Sequence, residues 1–319
     1  MQNNQPIKSI GLLLLPGFAL TSFALATEAL RTANRQAGKD IYQCIQFSVS
    51  GEPVTSSDGT TIIPHCSIDS SPKLDMLFVC AYSNAAHYKD SRVITWLRKQ
   101  AQNKTAIGAF SSGSFVLARS GLLDNHSCTI HWDDADAFRE MYPKTSLTNN
   151  VYEISRNRYT CAGGTAAVDL LLNLIKQTHG VALAARVADE FIIERPRLAD
   201  ETQTSHRRLR QQAVSGSLDQ AMELMNQEHE GSINIAEIAS SIGVSQRHLG
   251  RLFQQYLQQS PGDYYRQIRL KRARRLLQKS TLQIAQIALA CGFSSPSYFS
   301  QCYRRQFGFS PNRERKQAL

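Results

Sequence analysis

The 319-residue sequence lacks the features of membrane, metal-binding and disulfide-rich proteins. No apolar run approaches the roughly 20 residues that a membrane-spanning helix needs. The seven cysteines form no Cys-x-x-Cys pair and no Cys/His spacing of the kind that binds metal. Their odd number and their scatter are typical of reduced thiols, which predicts a cytoplasmic protein without a structural metal or cofactor.

The first 195 residues alternate between strand and helix patterns. Residues 10–20 (IGLLLLPGFAL) lack a basic leader and a cleavage site, which predicts a buried strand rather than a signal peptide. Strands are predicted at 7–15, 41–49, 75–80 and 105–109, helices at 20–36, 90–102 and 179–194, and a strand–turn–helix at 159–176. This alternation favours an α/β domain whose mainly parallel sheet is covered by helices on both faces.

Positive charge is concentrated in the last third of the chain. Residues 201–319 hold 17 Lys and Arg against 8 Asp and Glu, whereas residues 1–200 hold 19 against 18. We expect an α/β domain at 1–195, a polar, basic linker at 196–216 and an all-α domain at 217–319. The charge favours nucleic acid as the partner of this last domain, the alternative being a solvated basic face.

The last third also contains an internal sequence repeat with two copies. Residues 235–261 read IAEIASSIGVSQRHLGRLFQQYLQQSP, and residues 284–311 read IAQIALACGFSSPSYFSQCYRRQFGFSP. Each copy predicts an apolar helix, a turn at Gly243 or Gly292, and a second helix with basic and polar side chains. This order is typical of a helix-turn-helix, whose second helix enters the major groove of duplex DNA.

The second helix of each copy supplies the candidate residues for reading DNA. Ser245 is the predicted N-cap in the first copy and Ser294 or Ser295 in the second, where Pro296 suits the first helical turn. The positions expected to face DNA are Gln246, Arg247, His248 and Arg251 in the first copy, and Ser297, Gln301, Arg304 and Arg305 in the second.

A basic helix predicted at 263–279 joins the two copies, and we expect its Lys271 and Arg272 to contact phosphate. Such a helix would hold the recognition helices at about 34 Å, the spacing of successive major grooves. This third resembles the AraC/XylS family of bacterial transcription regulators, including the closing GFSSPSYFSQCYRRQFGFSP. The family usually continues with an aromatic residue and an arginine, whereas Pro311 leads into NRERK, which predicts a less tightly packed final helix.

A second informative segment, GAFSSGSFVLARSGLLDNHSCTIHWDD, lies at 108–134. A predicted strand runs into a sharp Ser-Ser-Gly turn and an apolar helix that begins near Gly113, which is the geometry of a nucleophile elbow. The glycines do not match the hydrolase Gly-x-Ser-x-Gly pattern. Ser111 is equally well explained as a turn residue, His131 as a core histidine and the two aspartates after Trp132 as helix caps.

The amino-terminal part resembles the class I glutamine-amidotransferase-like (PfpI-type) domain, in the branch fused to an AraC-type DNA-binding domain. The resemblance rests on LLLLPGFALTSFALATEALRTAN, on GLLD…HW and on CAGGTAAVDLLLNLI. It implies that the enzymes' cysteine falls on Ser111, their histidine on His131 and their acidic residue near Ser22. Because serine needs a positioned base where cysteine is partly ionised, we expect a site kept for binding rather than turnover. The Gly-Gly turn at 161–164 is expected to serve close backbone packing.

The pattern looks most like regulators that sense glycine betaine, carnitine and related amines, with an arginine-responsive relative further off. The resemblance therefore implies a small zwitterion as effector. Its carboxylate is expected on the elbow amides around Ser112 and Gly113. Its cationic end is expected on an aromatic face. The candidates are Phe18, Phe110 and Trp132, of which two are expected to belong to the core.

These patterns predict a sequence-specific, ligand-responsive transcriptional regulator, an activator that controls the catabolism of its effector. Its expected partners are promoter DNA, a small-molecule effector and RNA polymerase but no membrane, and the resemblance implies a homodimer. Two alternatives stay open. One is a residual hydrolase that uses Ser111 and His131, and the other is a constitutive DNA-binding protein without an effector.

Overall fold

The computed structural model describes residues 7–82, 84–203, 216–227 and 233–318. The chain divides into two compact units, Met1–Gln203 and Thr204–Leu319. The strands are β1 Lys8–Leu14, β2 Tyr42–Ser48, β3 Val54–Thr55, β4 Thr61–Ile62, β5 Cys66–Ser67, β6 Met76–Ala81, β7 Ala106–Ser111, β8 Ser127–Cys128, β9 Ser146–Leu147, β10 Tyr152–Ser155 and β11 Arg158–Cys161. The helices are α1 Leu20–Ala37, α2 Ser91–Gln102, α3 Ser114–Arg119, α4 Ala135–Met141, α5 Ala166–His179, α6 Val181–Glu190, α7 Gly216–Gln227, α8 Ile235–Ser241, α9 Gln246–Leu257, α10 Pro261–Lys279, α11 Ile284–Ala290, α12 Pro296–Phe307 and α13 Pro311–Ala318.

Seven strands of the first unit form one sheet in the order β10-β11-β7-β6-β1-β2-β5. Neighbours pair in parallel, except β10 and β11, which are antiparallel. The central strands are buried along nearly their whole length, as in a sheet covered on both faces. The predicted α/β fold is therefore confirmed.

Helices cover both faces of this sheet. Alternate residues of β1, such as Leu12 and Leu14, belong to one core cluster with residues of α1, α5 and α6. Gly11 directly precedes Leu12 and points to the other face, where a Cβ would lie 3.0 Å from the ring of Phe47. Phe47 in turn contacts Trp96 of α2, with ring centroids 5.6 Å apart, so α2 covers the opposite face.

The segment after α6 differs from the prediction. The helix predicted to reach residue 194 ends at Glu190. Residues 197–203, which the sequence pattern assigned to the linker, pack against the first unit. Arg197 forms an ion pair with Asp169 of α5 at 2.6 Å, and the Gln203 amide donates to the carbonyl of Ile130 at 2.8 Å. Residues 204–215 of the predicted linker lie outside the described residues.

The second unit confirms the repeat, because equivalent residues occupy equivalent places. Gly243 and Gly292 both turn the chain at φ 70°. The first helix of each copy buries an Ile-Ala pair, Ile238 with Ala239 and Ile287 with Ala288. The second helices bury Leu249 and Phe253 in α9, and Phe299 and Tyr303 in α12.

Two further expectations concern the whole chain. Across the described ranges, no helix is both long enough and apolar enough to cross a membrane. The same ranges contain no group of three or more His, Cys, Asp or Glu side chains arranged to hold a metal ion.

Candidate functional site

Ser111 ends β7 and begins the turn into α3. Its φ of 55° lies in the left-handed region, which a residue with a side chain adopts only at a local cost. Gly113 makes the turn possible, because a Cβ there would lie 2.5 Å from the carbonyl oxygen of Val79. The amide of Gly113 donates to the carbonyl of Phe110 at 3.1 Å, so it is not available to a ligand carboxylate as the sequence pattern suggested.

The Gly-Gly turn packs directly on Ser111, so its glycines serve close packing, as the sequence predicted. A Cβ on Gly163 would lie 2.6 Å from the Ser111 Cβ, and the φ of Gly163 is 88°. Cys161 lies beneath this contact. Burial raises the pKa of its thiol to about 12, although hydrogen bonds from the amides of Gly163 and Ser111 oppose the rise. The thiol is therefore protonated at neutral pH and is no substitute for the absent cysteine nucleophile.

Ser22, the position of the family's acidic residue, is held in a hydrogen bond. Its hydroxyl accepts the backbone N–H of Gly164 at 2.8 Å, and its side chain is buried. The hydroxyl therefore fixes the Gly-Gly turn, and the turn fixes Ser111. A serine at this position supports the shape of the elbow without supplying a negative charge.

Ser112 and Asp134 form the second link at the elbow. The Ser112 hydroxyl donates to the Asp134 carboxylate at 2.5 Å, and both residues are buried. Asp134 precedes α4 at the N-cap position, but its side chain makes no capping hydrogen bond to that helix. The helix-cap interpretation of Asp134 is corrected accordingly, because the carboxylate binds the elbow instead.

His131 is half-buried, so it is not a fully enclosed core histidine. Its Nδ1 accepts the backbone N–H of Asp133 at 3.3 Å. The Nδ1 of this imidazole is therefore engaged by the backbone of its own turn.

The three aromatic residues proposed as ligand contacts differ in burial. Phe18 and Phe110 are fully buried, and Phe110 stacks on Phe78 with centroids 4.7 Å apart. Neither ring can serve as a ligand surface, so Phe18 and Phe110 are removed as ligand contacts and are the two candidates that belong to the core. Trp132 is 51% exposed and is the candidate that a ligand can reach.

Tyr82 is an aromatic residue that the sequence analysis missed. It directly follows β6, whose last residue, Ala81, pairs with Ser111, and it is 44% exposed. It therefore lies at the carboxyl edge of the sheet, beside the elbow. Ligands of parallel sheets bind at this edge. The sequence could have indicated Tyr82 as a ligand contact, because it is an aromatic residue that directly follows an apolar strand.

The recognition helices present most of the predicted residues to solvent. Ser245 caps α9 and Ser295 caps α12, each accepting a backbone N–H at 3.2 Å, and Pro296 opens the first turn of α12. His248 is half-buried, with its Nδ1 3.3 Å from Nη2 of Arg251. The exposed residues are Gln246, Arg247 and Arg251 on α9, and Ser297, Gln301, Arg304 and Arg305 on α12.

The basic helix α10 uses part of its charge for internal packing. Arg272 is buried, and its Nη1 donates to the carbonyl of Ala290 at 2.5 Å. Arg269 donates to the carbonyls of Cys291 and Gly292, at the end of α11. The assignment of Arg272 to phosphate is therefore wrong, whereas its neighbour Lys271 is exposed.

The final helix is packed more tightly than its unusual sequence predicted. Glu314 is buried, and its carboxylate accepts hydrogen bonds from Tyr303 at 3.0 Å, Gln278 at 2.5 Å and Arg274 at 3.2 Å. This single carboxylate ties α13 to both α10 and α12.

Comparison with known proteins agrees with both units. Residues 8–177 match the DJ-1/PfpI family, and residues 238–317 match a helix-turn-helix domain. The chain is 39% identical to the HTH-type transcriptional regulator GbdR of Pseudomonas aeruginosa, over 99% of this chain and 86% of the relative. It is 40% identical to CdhR, an HTH-type transcriptional regulator of the same organism, over 95% of this chain and 90% of the relative. The solved structure of an AraC family transcriptional regulator from Pseudomonas putida is also similar, with 28% identity and a TM-score of 0.54. The match covers 58% of this chain and 99% of the solved chain.

Proposed function

The chain belongs to the HTH-type transcriptional regulators that join a DJ-1/PfpI domain to an AraC-type helix-turn-helix domain, and from this premise we propose that its first unit binds the small molecule that controls the second. The second unit binds promoter DNA through its two helix-turn-helix motifs. The effector acts by binding one functional state of the protein more tightly than another.

The hydrogen bond between Ser22 and Gly164 carries this proposal. It holds the turn that packs on the strained Ser111, and the serine supplies no negative charge where the resemblance to the enzymes implies an acidic residue. We therefore assign the elbow to ligand binding and not to hydrolysis.

The chemistry around the elbow favours a cationic amine as effector. The exposed indole of Trp132 lies two residues before Asp134, whose buried carboxylate accepts the hydroxyl of Ser112 at the elbow. An aromatic face attracts quaternary and tertiary ammonium groups. Together with the resemblance to betaine- and carnitine-sensing regulators, this supports a small zwitterionic amine. The protein would act in the cytoplasm as a homodimeric activator that recruits RNA polymerase to genes for the effector's catabolism.

A thermal-shift screen of the full chain tests the effector class. Glycine betaine, carnitine, dimethylglycine, sarcosine and arginine are added singly. A ligand at 100 times its Kd stabilises the unit that binds it by about 2.7 kcal/mol. We expect one compound to raise the Tm, and Trp132→Ala to abolish the rise.

Tyr256→Ala is the matched control, because Tyr256 is 47% exposed but lies on α9 of the second unit. It should leave the ligand-induced rise unchanged. If none of the amines shifts the Tm of the wild-type chain, the amine assignment is wrong.

A further inference from the structure

The two recognition helices carry their positive charge at opposite ends. Equivalent residues of α9 and α12 are 50 positions apart, and all five compared pairs are exposed. In α9 the arginines lie in the amino-terminal half, and glutamines follow. In α12 the amino-terminal half is uncharged, and the arginines follow. The pairs are Gln246 with Pro296, Arg247 with Ser297, Arg251 with Gln301, Gln254 with Arg304 and Gln255 with Arg305.

The position of an arginine along a recognition helix decides what it can reach. Residues in the amino-terminal part of such a helix contact base edges in the major groove. There an arginine binds O6 and N7 of guanine with two hydrogen bonds, the commonest specific contact. An arginine that contacts phosphate instead adds affinity but carries no sequence information.

The amino-terminal half of α9 is equipped to read guanine. Arg247 and Arg251 are one helical turn apart and both exposed, so they project from the same face. His248 lies against the guanidinium of Arg251, at 3.3 Å, and thereby restricts its orientation. Two arginines on one face, one of them oriented by His248, fit a site that contains guanines.

The amino-terminal half of α12 carries fewer side chains that can form hydrogen bonds with base edges. Pro296 has no donor, and Ser297 is short. The hydroxyl of Tyr298 accepts a hydrogen bond from Nη1 of Arg266 on α10, at 3.4 Å, so it is engaged within the unit. Gln301 is the long polar side chain of this half, and Arg304 follows one turn nearer the carboxyl end.

We infer that the first helix-turn-helix specifies the operator sequence and that the second mainly holds the DNA backbone. The operator is then asymmetric. It contains one strongly specified block with guanines, read by Arg247 and Arg251. A weakly specified block lies about one helical turn, or 34 Å, away and is held through phosphate by Arg304. This inference rests on the DNA-binding function described above.

Selection of bound duplexes from a random DNA library tests this division. The wild-type chain should enrich a single guanine-containing block. On the enriched duplex, Arg247→Ala should weaken binding roughly 5- to 150-fold and lose the base preference at one position. Arg304→Ala should enrich the same block, weaken binding to enriched and random duplexes alike, and reduce the salt slope by about 1.

The two variants are matched controls for each other, because each removes one exposed arginine from a recognition helix. Two equally informative blocks, one of them altered by Arg304→Ala, would overturn the inference. So would a uniform loss of affinity in Arg247→Ala. If the wild-type chain binds neither enriched nor random duplex, DNA binding itself fails, which is a separate result from either of these.

Discussion

The backbone N–H of Gly164 donates to the hydroxyl of Ser22 at 2.8 Å, across 142 positions of sequence. Ser22 lies on α1 and Gly164 on the turn before α5, so the bond joins two elements that pack on the same face of the sheet. Through Gly163, the same turn presses on Ser111. The elbow is thus held from behind by neutral groups, which suits a binding site better than a nucleophile.

Removing the hydroxyl of Ser22 should destabilise the first unit. Ser22→Ala leaves the N–H of Gly164 without its acceptor, at a cost of about 1–3 kcal/mol. Thr21→Ala changes the exposed neighbour on the same helix and should stay within about 0.5 kcal/mol of wild type. Urea unfolding of the two variants measures the difference. Equal free energies of unfolding would contradict the structural role of Ser22.

The two glycines of the turn should differ in their tolerance of alanine. Both have a positive φ, which costs alanine about 1–2 kcal/mol. Gly163→Ala also places a Cβ against Ser111, adding about 1–3 kcal/mol of overpacking, whereas a Cβ on Gly164 meets nothing within 4 Å. Thermal unfolding should therefore rank Gly163→Ala as the less stable variant. Only this variant should also alter effector binding at the elbow.

Two adjacent basic residues on α10 should have opposite roles. Arg272→Ala removes a charged hydrogen bond to the carbonyl of Ala290 and should lower stability by about 1.5–3 kcal/mol. Lys271→Ala should leave stability unchanged but weaken binding to all duplexes and lower the salt slope by about 1. Unfolding and DNA-binding titrations on the same preparations separate these effects. Loss of stability in Lys271→Ala would show that the exposed lysine is also structural.

The carboxylate of Glu314 should be essential to the packing of the final helix. Glu314→Ala leaves Tyr303, Gln278 and Arg274 without their shared acceptor and should cost at least about 2 kcal/mol. Asn312→Ala, at an exposed position of the same helix, is the control. Denaturant unfolding followed by tyrosine fluorescence reports the change. A fully stable Glu314→Ala variant would restore the expectation of a loosely packed helix.

The thiol of Cys161 should resist alkylation in the native protein. Its ordinary pKa is near 9, and burial raises the pKa to about 12, so almost no thiolate exists at pH 8. Iodoacetamide should leave Cys161 unmodified in buffer and modify it in urea, as read by mass spectrometry of peptides. Rapid native modification would mean that the elbow holds a reactive thiol after all.

Local patterns in the sequence determined the main strands and helices of both units, but not the end of α6 or the packing of residues 197–203. The helix-turn-helix copies follow from apolar residues at helical spacing and from Gly243 and Gly292, because these depend on neighbours within a few turns. The caps at Ser245 and Ser295 are equally local. The parallel sheet follows from continuous apolar strands between helices. The elbow was recognisable because strand, turn and helix are consecutive.

Tertiary structure decided which of these residues can act. Phe110 and Trp132 are both aromatic, yet only packing buries the first and exposes the second. Lys271 and Arg272 are adjacent and both basic, but only Arg272 faces the carbonyls of another helix. The bond from Ser112 to Asp134 spans 22 positions, and the bond from Gly164 to Ser22 spans 142. Such hydrogen bonds depend on how whole helices and strands pack together, and the periodicity of the sequence does not specify that packing.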